Sequence, residues 1–177
     1  LNIHLLDPHT YSMVFGWYLC EMARKLQNGA ELRHVIGEFE AQMNKMEVIL
    51  GPYSLKQMKK SGRVSAAAAF AGELLGLRPI ISLNDGVSSV KSKVRGDGAV
   101  IPAMIKYVKS RVENVQELEY QVAYTDGERV NELVKQCKKE FGHPPVNVFQ
   151  LGCVVSANTG PDALAIIFLG KDRGPRG

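Results

Sequence analysis

Arg78-Pro79-Ile80-Ile81-Ser82-Leu83-Asn84-Asp85-Gly86-Val87-Ser88-Ser89-Val90-Lys91-Ser92-Lys93-Val94 is the stretch that decides the fold. Two runs rich in β-branched residues flank Asn84-Asp85-Gly86, and Asp-Gly tolerates the positive φ that a two-residue hairpin turn demands. The pattern predicts antiparallel strands over residues 78–83 and 87–94. An antiparallel pair excludes an all-parallel sheet, and helical patterns lie on either side of it. The hairpin therefore implies a mixed sheet with helices packed on it.

Working upstream, residues 47–50 read as a short strand ending at Gly51-Pro52, and residues 54–60 as a short helix closing on Ser61-Gly62. Ser65 caps a small-residue helix over 66–75, stopped by Gly76. Downstream, a helix over 99–112 turns Ile101, Ile105, Val108 and Val112 inward. A strand over 119–124, an amphipathic helix over 128–141 and a strand over 146–151 follow, the last two separated by Pro144-Pro145. A final strand over 163–169 leads into a Gly/Arg tail. These elements predict a two-layer α/β domain with a mixed sheet of about six strands, residues 47–177.

Residues 1–46 differ. A strand over 3–6 ends at Asp7-Pro8, and Ser12 is placed to cap a helix carrying Phe15, Tyr18, Leu19, Met22 and Leu26 on one face. After Asn28-Gly29 a second helix carries Leu32, Val35, Ile36, Phe39 and Met43. One strand and two helices have no sheet of their own. They read as the closing part of a first α/β/α domain whose other strands come from upstream or another chain.

The 177 residues carry 23% charged and 45% hydrophobic residues, values of an ordered globular protein rather than a disordered one. The formal net charge of +4 comes from cations spread among acids on helical faces, which fits a solvated surface better than a nucleic-acid patch. No apolar run is long enough to cross a bilayer and no secretory leader is present, so a cytoplasmic protein is expected. Cys20, Cys137 and Cys153 are widely spaced and read as reduced thiols, with no metal-ligand spacing to the four histidines.

Three strings could carry chemistry. Lys59-Lys60-Ser61-Gly62-Arg63-Val64-Ser65 delivers a guanidinium to a helix start, where free N–H groups favour an anion, and the alanines that follow leave space. Close helix packing explains the same alanines. Val154-Val155-Ser156-Ala157-Asn158-Thr159-Gly160-Pro161-Asp162-Ala163-Leu164 offers donors and acceptors in a glycine-allowed turn between two strands, or is an ordinary turn. Lys91-Ser92-Lys93-Val94-Arg95 is a solvated strand end or a docking patch for an acidic partner. No nucleophile elbow, phosphate loop or metal helix occurs, so a non-enzyme is expected, with no cofactor and no metal.

Taken in order, these strings resemble the DegV family of bacterial fatty-acid-binding proteins. Lys59 to Ser65, Leu74-Leu75-Gly76-Leu77-Arg78-Pro79-Ile80, Lys93-Val94-Arg95 and Asn158-Thr159-Gly160-Pro161-Asp162-Ala163 carry the resemblance, and Ser12 to Gly16 resembles a segment near the end of the family's first domain. The chain resembles a member lacking the N-terminal part of that domain. The resemblance implies one long-chain fatty acid held between two domains and presented to an ATP-dependent fatty acid kinase, in lipid transport or fatty acid metabolism. It places Arg63, Ser65, Asn158, Thr159 and Gly160 on the carboxylate side. Ala67, Phe70, Ala71 and Leu74 border the acyl tail, and Lys93 and Arg95 dock the partner. Two departures stand out: Asn158 replaces a histidine, and Asp162 replaces a glycine and would repel a carboxylate if turned towards it. A ligand-free structural or interaction module is the alternative; an enzyme with Arg63 as clamp lacks a nameable acid or base.

Overall fold

The computed structural model describes residues 3–62 and 76–172. Helices α1 (Met13–Gln27) and α2 (Leu32–Lys45) lead into β1 (Met46–Pro52) and the short α3 (Lys56–Lys60). The hairpin β2 (Leu77–Asn84) and β3 (Val87–Arg95) precedes α4 (Val100–Arg111) and β4 (Tyr120–Tyr124). The chain closes with α5 (Val130–Phe141), β5 (Asn147–Gln150), α6 (Cys153–Thr159) and β6 (Ala163–Leu169).

The six strands form one sheet in the order β3-β2-β1-β6-β4-β5, antiparallel at every ladder except the parallel β4–β5 pair. The mixed α/β sheet is the one the hairpin implied. Asp85 and Gly86 take φ of 52° and 74° at its turn, as a primed two-residue turn requires. Ile80 pairs with Ser92 and Ile81 with Val90, so Lys91 is the extra residue of a bulge.

Strand alternation sorts the core into two faces. Ile49, Ile80, Val122, Leu164, Ile166 and Phe168 meet Ile101, Met104, Ile105 and Val108 of α4 and Leu133, Cys137 and Phe141 of α5. On the other face one rung crosses all six strands: Val90, Ile81, Leu50, Ala165, Ala123 and Phe149. This rung belongs to a second cluster that includes Val14 and Tyr18 of α1, Phe39 and Met43 of α2, Met58 of α3 and Val155 of α6. β1 and β6 lie centrally and are buried along almost their whole length.

Among the described residues one fully buried side chain is charged. Glu47 of β1 is fully buried; its Oε1 accepts from Arg111 Nε at 2.8 Å and its Oε2 from the Tyr107 hydroxyl at 2.9 Å. Tyr107 and Arg111 stand one turn apart on α4, so a single helix face supplies both donors. Burial, and then the Glu47 charge, pushes the Tyr107 hydroxyl up to about 12.

Four expectations are corrected. Residues 3–6 form no strand; Ile3 and Leu5 are exposed at 83% and 95%, since no described strand pairs with them. Ser12 occupies the N-cap position of α1 without a side-chain cap bond, whereas Glu31 caps α2 by accepting from the Arg33 and His34 amides. Leu19 falls outside the buried stripe of α1 and is 45% exposed. The string read as a turn before β6 is largely helix α6, because Gly160, at φ 96°, permits a helix stop and the polar side chains bond back into the helix.

Candidate functional site

The second face of the sheet holds a cavity of about 480 Å³. Leu50 of β1, Leu83, Gly86 and Ser88 of the hairpin and Met58 of α3 line it, facing Cys153, Val154, Val155, Asn158 and Thr159 of α6. Tyr11 and Ser12, just before α1, complete the wall.

The α3 and α6 walls are tied together by side chains. Gln57 Nε2 donates to the Ala157 carbonyl at 2.7 Å, and the Ser61 hydroxyl lies 3.2 Å from the Asn158 carbonyl. Both satisfy carbonyls in the last turn of α6, which a helix end leaves without partners of its own. Asn158 Nδ2 donates to the Val154 carbonyl at 2.7 Å, and Thr159 Oγ1 to the Val155 carbonyl at 3.1 Å. Thr159 is buried, and its hydroxyl oxygen retains acceptor capacity on the cavity wall. Ser12, at φ 64°, holds a backbone conformation that serine rarely adopts.

Of the residues singled out in the sequence, Asn158 and Thr159 line the cavity and Gly160 adjoins it as the stop of α6. Lys93 and Arg95 are exposed on one face of β3, opposite the face that Ser92 and Val94 share with Ile80 and Arg78. Arg63, Ser65, Ala67, Phe70, Ala71 and Leu74 lie outside the described residues. Leu50, Met58 and Leu83 are wall residues that the sequence reading missed. Each lies on a separate element, and a period-2 or period-3.6 pattern marks them only as core.

Asp162 does not face the cavity. Its Oδ1 is 3.4 Å from Arg129 Nε, while its backbone carbonyl accepts from the Tyr53 amide at 2.8 Å. Arg129 stacks 4.2 Å over the Tyr53 ring and reaches Asp97 Oδ2 at 3.3 Å; Arg78 Nε holds the other Asp97 oxygen at 2.9 Å. Among the described residues no three His, Cys, Asp or Glu side chains converge as a metal site. None of the described helices is long and apolar enough to cross a membrane. The three cysteines are free thiols; burial pushes Cys137 up to about 12, while Cys20 and Cys153 are exposed.

The family model described as "Uncharacterised protein, DegV family" matches residues 1–171. The chain belongs to the DegV family. A DegV domain-containing protein of Clostridium acetobutylicum is 27% identical over 171 residues, covering 94% of this chain and 59% of the relative. This chain thus spans about three-fifths of the length of the curated DegV relatives it matches. Among solved structures, a DegV lipid binding protein from Thermotoga maritima superposes with a TM-score of 0.78 at 22% identity, covering 96% of this chain and 59% of that one. A DegV family protein from Eubacterium eligens, loaded with heptadecanoic acid, gives 0.81 at 19% identity, covering 96% and 62%. At these identities the structural likeness establishes the shared fold.

Proposed function

We propose that this chain binds one long-chain fatty acid, such as palmitate, in the cavity between the sheet, α3 and α6. The cavity carries the reading. Its volume of about 480 Å³ falls within the ~300–1,000 Å³ usual for small-ligand sites, and Leu50, Met58, Leu83 and Val155 give it an apolar wall. Ser12, Asn158 and Thr159 supply a polar rim for a head group. Burying a C16 chain at ~0.8 kcal/mol per methylene contributes on the order of 10 kcal/mol before association costs. Relatives whose structures are described as lipid binding or as loaded with heptadecanoic acid support the same class of ligand.

Residues 1–46 act as the closing part of a first domain and residues 47–177 as the second, with the acid between them. Arg63 and Ser65 join the rim on the carboxylate side, and Ala67, Phe70, Ala71 and Leu74 border the tail. The chain serves as a cytoplasmic carrier in lipid transport or fatty acid metabolism and leaves catalysis to an ATP-dependent fatty acid kinase, which Lys93 and Arg95 dock. One observation favours a ligand-free module instead: Asn158 carries no charge and donates to its own helix. Denaturing extraction of the chain purified from bacteria, read by mass spectrometry, separates the two. A stoichiometric fatty acid supports the carrier; background lipid in a folded preparation supports the module.

A further inference from the structure

We propose that Arg129 is a positioning residue for the anionic end of the ligand, because it cancels the charge of the Asp162 carboxylate beside the cavity. This rests on the fatty-acid reading of the cavity. Asp162 follows the wall residue Thr159 by three positions, so their Cα atoms are at most ~11 Å apart, about one Debye length at ordinary salt. An unpaired carboxylate there would repel a bound fatty acid through a partly buried path. Alternation along the strand decides its direction. Ala163 belongs to the cavity-side cluster, and Asp162 is turned the other way, where Tyr53 belongs to the α4-side cluster.

Arg129 is fixed from three sides: it stacks on Tyr53, pairs with Asp97, and lies 3.4 Å from Asp162. Arg78 on the far side of Asp97 completes a row of two cations and two anions with no net charge. Each of the four comes from a different segment: the entry of β6, the start of α5, the turn before α4 and the start of β2. Tyr53 belongs to the same core cluster as Val100 and Ile101, so the stack is continuous with the packing under α4. The row therefore removes the charge of the turn that ends the cavity wall. A planar guanidinium can stack and bridge two carboxylates in one geometry, which an ammonium cannot.

The test compares dodecanoate with its neutral amide in the whole chain, by displacement of a fluorescent fatty acid at a pH where the acid is ionised. Arg129→Met is expected to weaken dodecanoate roughly two- to twentyfold, the span of a single charge at ~10 Å between aqueous and protein-surface dielectric values, and to leave the amide unchanged. Asp162→Asn in the Arg129→Met background is expected to restore the acid. Arg129→Lys, which keeps the charge, should retain most of the selectivity, and melting curves of each variant establish folding. Equal losses for acid and amide, or no loss for either, would overturn the proposal while leaving the fatty-acid reading intact. A wild-type chain that binds neither ligand would overturn both.

Discussion

Removing Arg111 should destabilise the protein more than removing its partner Glu47, although both changes break the same ion pair. Glu47 has no exposed surface, whereas the Arg111 side chain is 34% exposed. In Arg111→Met the carboxylate stays inside the sheet with only the Tyr107 hydroxyl as donor. Stranding one member of a buried pair costs about 3–5 kcal/mol, and the partial exposure of Arg111 lowers this to about 2–3 kcal/mol. In Glu47→Leu the guanidinium can swing into water and only the Tyr107 hydroxyl loses a partner, which costs about 1 kcal/mol. The double variant removes the stranded charge and should recover most of the loss of Arg111→Met. Urea denaturation followed by far-UV circular dichroism gives all four stabilities, and the cycle gives the coupling directly. Against a total stability of ~5–15 kcal/mol the effect is large. If Glu47→Leu cost more than Arg111→Met, or if the coupling fell below about 0.5 kcal/mol, burial would not be what sets the energy of this pair.

Three further outcomes follow from particular contacts. Gly51→Ala puts a Cβ 2.6 Å from both Met104 Sδ and Val100 Cγ1, so it should cost about 1–3 kcal/mol by overpacking, measured as a lowered melting temperature. Cys137 is held protonated up to about 12 by burial, so its contribution is intact below the ordinary thiol pKa of 9.0 and is lost as pH rises towards 12; Cys137→Ala should flatten stability across that alkaline window. Asn158→His adds a titratable group on the cavity wall and should tighten fatty acid binding below its pKa of about 6.5, with the gain vanishing above it in a pH series of titrations.

The fold was readable where one residue pattern had one physical solution. Asn84-Asp85-Gly86 could only be a tight hairpin turn, and the apolar spacing of α2, α4 and α5 matched their buried faces. Residues 3–6 failed because a short apolar run records only a capacity to pair, and no described strand takes it up. α6 was missed because Cys153-Val154-Val155-Ser156-Ala157-Asn158-Thr159 is poor in strong helix formers; its helix depends on Gly160 and on Gln57 and Ser61 of the α3 segment, 97–100 residues away in sequence. The site was half legible for the same reason. Asn158 and Thr159 stood in a recognisable string, while Leu50, Met58 and Leu83 become neighbours only once the sheet order is known. Asp162 looked like a hazard to an anion because the sequence cannot show that Arg129 stands behind it.

The central claim, that the cavity under α6 holds the acyl chain, is tested most directly by blocking it. Val155 faces the second core cluster and lines the cavity, so Val155→Trp fills the space from a helix wall while leaving every residue of the sheet unchanged. Titration of a fluorescent long-chain fatty acid into the wild-type chain should give saturable one-to-one binding. The folded Val155→Trp variant should lose at least a hundredfold in affinity. Unchanged binding in that variant would place the lipid elsewhere and contradict the account.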